Sequence, residues 1–177
     1  MKYVLLLRGI NVGGKNKVSM SELKEQLLKI GFENVSSYIN SGNIIFDTTD
    51  GIDTVNQSIS KILNTYPFKI NKVILSQCEY LEELENLPSW WFNDSYRKDV
   101  LFYTNEIDYS FMRARIEQMP LLDEAVHFGK NAVFWGKYNE NSYLKTSYHK
   151  YLIKESFYKS VTIRNSRTFE KIADLLK

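Results

Sequence analysis

An apolar run that opens into a glycine-rich, basic loop and re-emerges as an amphipathic helix constrains this chain more than any other stretch. Tyr3 to Leu7 is uninterrupted hydrophobic sequence, and Arg8 to Lys17 reads Arg-Gly-Ile-Asn-Val-Gly-Gly-Lys-Asn-Lys. Met20 to Ile30 then carries Leu23, Leu27, Leu28 and Ile30 at helical spacing. A short apolar run closed by glycine reads as a buried strand. Ser19 and Glu22 have capping-box spacing, in which hydroxyl and carboxylate each satisfy an unpaired amide at the helix start. Gly31-Phe32 supplies the left-handed C-cap and the apolar residue that follows it.

Val35 to Ile39 and Ile44 to Phe46 are β-rich runs around Asn40-Ser41-Gly42-Asn43, a hairpin signal. Ile52, Val55, Ile59, Ile62 and Leu63 fall at helical spacing, and Ile70 to Leu75 reads as a strand. Strand, helix, hairpin, helix, strand is the split βαβ order of the ferredoxin-like plait. Ser76 and Glu79 form a second capping box and open a helix through about Leu87, which Pro88 stops. Glu79, Glu82, Glu83 and Glu85 read as the solvated face of that helix. Ser89 to Lys98, with Trp90, Trp91 and Phe92, reads as an aromatic connection packed against the body.

The pattern then repeats. Lys98-Asp99-Val100-Leu101-Phe102 parallels Lys2-Tyr3-Val4-Leu5-Leu6, and Asn131-Ala132-Val133-Phe134 parallels Asn43-Ile44-Ile45-Phe46. The second spacing is shorter, as expected of a copy without the long basic loop. Asp108 caps a predicted helix to Gln118, and Ala125 to Phe128 with Ala132 to Trp135 form a hairpin around Gly129. A helix from about Leu144 to Ser156, a strand near Val161 to Ile163 and a last helix capped by Asn165 or Ser166 complete the copy. The expected fold is α+β, a tandem repeat of two ferredoxin-like βαββαβ subdomains with antiparallel sheets and helices on one face. The expected divisions are residues 1–76, a connection over 77–97, and residues 98–177 with the C-terminal helix.

Only five apolar residues separate Lys2 from Arg8, far short of a signal-peptide core or a membrane span, so the chain reads as cytoplasmic and free of membrane. The single cysteine, Cys78, excludes an intramolecular disulfide and a cysteine-rich metal site, and reads as packing. His127 and His149 are isolated from carboxylates in sequence, so neither a metal nor a cofactor is predicted. The net charge of +2 is unevenly spread: Lys2, Arg8, Lys15 and Lys17 all precede the first acid, Glu22, and residues 145–177 are again rich in Lys and Arg.

Gly9 to Asn16 satisfies the first seven places of the P-loop pattern and fails at the eighth, where Asn16 replaces the hydroxyl that binds Mg²⁺. The physics beneath the pattern survives that failure. Glycines expose backbone amides, a helix N-terminus carries partial positive charge, and Arg8, Lys15 and Lys17 add full charges, so the loop suits an anion. Asn11, Gly13, Gly14, Asn40, Ser41 and Asn43 join it as candidate ligand-binding residues, although Asn and Gly are also what the turns themselves require. Arg164, Asn165, Thr168 and Lys171 form a second candidate at a strand-to-helix junction, where a helix cap with a solvated lysine is the competing reading. Leu101 to Asn105 only faintly matches the first-strand motif of RNA-recognition domains, and neither third strand carries the stacking aromatics that mode needs. Ser147-Tyr148-His149-Lys150 contains Ser-x-x-Lys without a partner motif, so it reads as chance.

Leu7 to Val18, Tyr38 to Asn43, and Thr162-Ile163-Arg164-Asn165 with Thr168 and Lys171 resemble the bacterial family called domain of unknown function 1697. The resemblance spans nearly the whole chain and implies a tandem of two ferredoxin-like subdomains. It implies no activity, because the family is uncharacterised. Three functional readings follow from the residues. The first is binding of an anionic small molecule, nucleotide or nucleic-acid phosphate at the Arg8 to Lys17 loop. The second is an interaction or homo-oligomeric scaffold using sheet edges or Trp90-Trp91-Phe92. The third is a cofactor-independent enzyme with Lys15, Tyr38 or Arg8 as acid, base or oxyanion stabiliser, for which no nucleophile-base spacing exists.

Overall fold

Strand β1 (Lys2–Arg8) lies inside its sheet because its side chains are apolar on both faces, so neither face can meet water. The computed structural model describes residues 1–104 and 106–177; Asn105, the last residue of the Leu101 to Asn105 run, lies outside them. The described residues form a mixed α+β protein with two four-stranded antiparallel sheets and six α-helices. They divide into two compact units, Met1–Leu81 with Ile172–Lys177, and Glu82–Lys171. Among them no helix is long and apolar enough to cross a membrane.

In unit 1 the order is β1, α1 (Met20–Lys29), β2 (Glu33–Tyr38), β3 (Asn43–Asp47), α2 (Ile52–Leu63) and β4 (Asn71–Ser76), with the sheet ordered β2-β3-β1-β4. Alternation along β1 sends Tyr3, Leu5 and Leu7 into a core with Leu23 and Leu27 of α1, Phe32, and Val55, Ile59 and Leu63 of α2. The Ser19 hydroxyl accepts from the Glu22 amide at 3.3 Å, so α1 begins where the capping-box spacing places it. Ser76 and Glu79 complete their box reciprocally, the Glu79 carboxylate accepting from the Ser76 amide at 2.8 Å, and α3 (Gln77–Glu85) follows. Cys78 is exposed on that helix rather than packed.

Unit 2 orders its sheet β6-β7-β5-β8, built from β5 (Arg97–Tyr103), β6 (Glu124–Phe128), β7 (Ala132–Lys137) and β8 (Val161–Asn165). Asp108 caps α4 (Tyr109–Glu117) through the Phe111 amide at 3.0 Å. Asn165 caps α6 (Ser166–Leu176) through the Thr168 amide at 2.8 Å. Trp91 is buried against Phe134 and Phe169 in edge-to-face contact, and its indole donates to Glu170 at 3.1 Å.

Two further expectations fail here. The helix predicted from Leu144 to Ser156 is a chain of short turns: Tyr143–Lys145, the single α-turn α5 (Ser147–Lys150), Leu152–Lys154 and Ser156–Ser160. Tyr148, Leu152 and Phe157 must all face the sheet core. On one continuous helix Phe157 would point about 180° away from Tyr148, and the extended backbone at Glu155, between Leu152 and Phe157, brings all three inward. The acidic face of α3 is likewise not wholly solvated. Glu83 is 2% exposed and accepts from the Asn131 amide in the β6–β7 turn, while Glu82 pairs with Lys130 at 3.0 Å.

Candidate functional site

The loop from Gly9 to Val18 is held by its own asparagines. Asn11 and Asn16 adopt φ of 55° and 50°, the left-handed region that asparagine tolerates, as do Gly9, Gly13 and Gly14. The Asn11 side chain is the hub. Its oxygen accepts from the Val18 amide at 2.9 Å, and its nitrogen donates to the carbonyls of Val18 and Asn40, each at 2.9 Å. One side chain thus joins the return of the loop to the β2–β3 turn. Asn16 donates to the Gly9 carbonyl at 3.0 Å and accepts through its own carbonyl from the Asn11 amide at 3.1 Å, closing the base of the loop.

The β2–β3 turn is equally committed. Asn43 is buried and donates to the Tyr38 carbonyl at 3.0 Å and the Ser41 hydroxyl at 3.1 Å. Gly42 has φ of 81°, and a Cβ built there would stand 2.6 Å from Leu7 Cβ, so strand and turn approach too closely for any side chain. Its carbonyl accepts from the Leu7 amide at 2.8 Å.

Loop, turn and the start of α1 border a shallow, open recess of about 510 Å³ lined by Asn11, Gly14, Lys17, Val18, Ser19, Met20 and Asn40. Of the thirteen candidate residues, the fold brings Asn11, Gly14, Lys17 and Asn40 to this recess. Lys15 lies exposed on the loop with Gly13, and among the described residues no carboxylate is within ion-pair distance of Lys15 or Lys17. Arg8 alternates with Leu7 and so leaves β1 on the sheet face opposite the core of α1 and α2. Ser41 and Asn43 brace the turn instead of lining the recess.

The second candidate cluster lies in unit 2. Arg164 is buried, donating to the Thr162 hydroxyl at 3.1 Å and the Ile163 carbonyl at 2.9 Å. Asn165 is the cap of α6, Thr168 is buried in its first turn, and Lys171 is exposed.

Residues 1–134, which include the whole loop and turn, match the family described as protein of unknown function, DUF1697. The chain belongs to the DUF1697 family. A solved structure described as a conserved bacterial protein from Streptococcus pneumoniae is 50% identical to this DUF1697 chain, with a TM-score of 0.95. The likeness covers 99% of this chain and 98% of that one. No curated protein matches it. The Arg164 to Lys171 cluster lies beyond the residues matched to the family.

Unit 2 of this DUF1697 protein also holds a charged cluster that sequence reasoning missed. Lys137 and Asp99 are both fully buried and paired at 2.5 Å, and the Arg97 Nε donates to both Asp99 oxygens at 3.1 and 3.0 Å. Lys137 lies against the Tyr148 ring. Burial lowers the Lys137 pKa to about 8 against the opposing pull of Asp99, and pushes the Tyr148 hydroxyl far up. Glu124 accepts from the Trp135 indole at 2.9 Å and from the Ser147 and Tyr148 amides at 2.8 and 3.1 Å, capping α5 from another strand. The one sequence signal was Arg97-x-Asp99, an opposite-charge pair on one strand face. Among the described residues no group of three or more His, Cys, Asp and Glu can hold a metal ion.

Proposed function

We propose that unit 1 binds a small anionic ligand, a nucleotide or phosphorylated metabolite, in the recess between the Gly9 to Val18 loop and the start of α1. The observation that carries this reading is that Lys17 lines the same recess as Ser19 and Met20, where α1 begins. The first-turn amides of a helix point out along its axis toward its N-terminus, and the Ser19 hydroxyl consumes only that of Glu22. Lys17 supplies the full charge, with Lys15 nearby on the loop. Gly13 and Gly14 have open space where a side chain would stand, which lets a ligand approach the backbone. Val18 and Met20 offer an apolar wall to the rest of the ligand. Asn11 and Asn40 act on the ligand through the loop they position, since the Asn11 amide is already spent on the protein. Glu22, in the first turn of α1, works against the anion and sets the need for two lysines.

The setting inferred for this site is a cytoplasmic tandem of ferredoxin-like subdomains over residues 1–76 and 98–177, joined by 77–97. Its support is the shared strand order: β2-β3-β1-β4 in one sheet and β6-β7-β5-β8 in the other follow from the same βαββαβ order, with short turns replacing the second helix of the second copy.

The test is thermal melting of the wild type and a Lys15→Ala, Lys17→Ala double variant with nucleotides, phosphorylated metabolites and short oligonucleotides. A ligand at about 100 times its dissociation constant stabilises by about 2.7 kcal/mol, a shift of roughly 5 to 10 °C for a chain of this length. The expected result is a shift in the wild type alone. Equal shifts in both proteins, or none with any compound, would refute the reading.

A further inference from the structure

The geometry points to a proton-triggered cover in unit 2: protonation of His149 loosens the Tyr143–Ser160 segment from the sheet and exposes the apolar face of β5 and β7 beneath it.

The segment covers Leu101, Val133 and Trp135 with Tyr148, Leu152 and Phe157, yet its backbone is a series of short turns without the cooperative ladder of a long helix. Its hold on the sheet concentrates near α5. Glu124 accepts from the Ser147 and Tyr148 amides, the Ser147 hydroxyl donates to the Pro120 carbonyl at 2.5 Å, and Lys137 lies under the Tyr148 ring. His149 stands at this point. Its ring meets Tyr143 edge-on at 4.3 Å and lies 5.6 Å from Tyr148, and its Nε2 is sealed from solvent without a hydrogen-bond partner. A neutral imidazole tolerates that setting far better than an imidazolium, whose second N–H would be buried and unpaired.

The surrounding charges divide. Arg97 from β5 and Lys137 from β7 oppose protonation, Asp99 from β5 and Glu124 from β6 favour it, and Tyr143 and Tyr158 from the turns and Tyr148 from α5 are the other titratable groups of the cluster. Arg97 and Lys137 already share Asp99, and both approach the Tyr143 ring, at 5.9 and 5.6 Å. The oxygens of Glu124 are engaged by Trp135, Ser147 and Tyr148. Among the described residues an Nε2–H therefore finds no free carboxylate inside the cluster, and, although the ring is half-buried, that N–H reaches water by moving α5 outward. Burial, Lys137 and Arg97 accordingly lower the His149 pKa. A base lowered in the folded state takes its proton more readily in the open one, so acid favours opening.

The experiment is hydrogen exchange of the full chain, read by mass spectrometry from pH 7.5 to 5.0 and corrected for intrinsic exchange, alongside an NMR titration of the histidine rings. In the wild type, protection of residues 143–160 is expected to fall on acidification, with the midpoint of the His149 titration. His149→Gln should hold its protection across the range, and His127→Gln should behave as wild type. Should His149→Gln fail to fold, His149→Phe keeps the ring contact with Tyr143 and serves in its place. The inference is overturned if His149 titrates while the segment stays protected, or if a folded variant at 149 still opens with acid.

Discussion

The Lys137 ammonium stands 3.5 Å from the centroid of the Tyr148 ring, and its side chain is fully buried. Its charge is balanced by Asp99, which in turn depends on Lys137 and the half-exposed Arg97. Such a pair offsets its own desolvation only while both members are present. Lys137→Met should therefore cost about 3 to 5 kcal/mol, because it strands the Asp99 carboxylate, whereas adding Asp99→Leu to it should recover most of that loss. Urea denaturation of both proteins checks this; a single variant as stable as wild type would show that Arg97 alone satisfies Asp99.

The same lysine gives stability a pH dependence of definite sign. Its folded pKa lies near 8, below its ordinary value of 10.5, so between these limits the unfolded chain binds the proton more tightly. Stability contributed at Lys137 rises with pH across that window. The melting temperature of wild type minus that of Lys137→Met should increase from pH 8 to pH 10, and a constant or shrinking difference would contradict the assignment.

Two glycines of the candidate site separate backbone conformation from packing. Gly13 and Gly42 both have positive φ, but a Cβ at Gly13 meets open space while one at Gly42 meets the buried Leu7 and Ile10 side chains at 2.6 and 2.9 Å. Gly13→Ala should cost about 1 to 2 kcal/mol, the left-handed penalty alone. Gly42→Ala adds the displacement of β1 and should cost about 1 to 3 kcal/mol more. Thermal melting of the two variants measures the difference, and equal losses would place the whole effect in the backbone.

How much of this was legible depended on distance along the chain. β1, α1 and the β2–β3 hairpin were readable because periodicity and caps are local: Ser19 bonds Glu22, and Ser76 bonds Glu79, within one turn. Asn11 was readable as a residue of the loop, but its use as a tie to Asn40, 29 positions away, was not. Glu83 reads as a solvated charge and Lys137 carries no sequence signal, because the groups that justify their burial, Asn131 and Asp99, lie 48 and 38 positions away. The Tyr143–Ser160 turns escaped because their apolar residues answer to the sheet they cover, not to the period of a helix.

Glu83 makes the opposite prediction to Lys137. Burial raises its pKa, more than the Asn131 and Lys130 amides lower it, so its contribution to stability is full below the ordinary carboxylate range and is lost as pH rises through the folded value. Glu83→Gln imitates the protonated acid and retains an oxygen for the Asn131 amide. The melting temperature of wild type minus that of the variant should fall between pH 4 and pH 7; a rise would mean that the amides outweigh desolvation.

Asn11 tests whether the recess depends on the loop that frames it. Asn11→Ala deletes all three side-chain hydrogen bonds and leaves the Val18 amide, at a buried residue, without its acceptor. It also places a residue that disfavours left-handed backbone at φ of 55°. One unsatisfied buried amide costs about 1 to 3 kcal/mol, enough to open the loop locally while the core of Leu5, Leu23 and Phe46 stays folded. The expected signature is rapid exchange of the Val18 amide with unchanged protection in β1 and β3, together with a loss of the ligand-induced shift as large as that in the lysine double variant. Ligand binding retained at full strength in Asn11→Ala would mean that the lysines and the α1 amides hold the anion without help from the loop, and that Asn11 serves the fold alone.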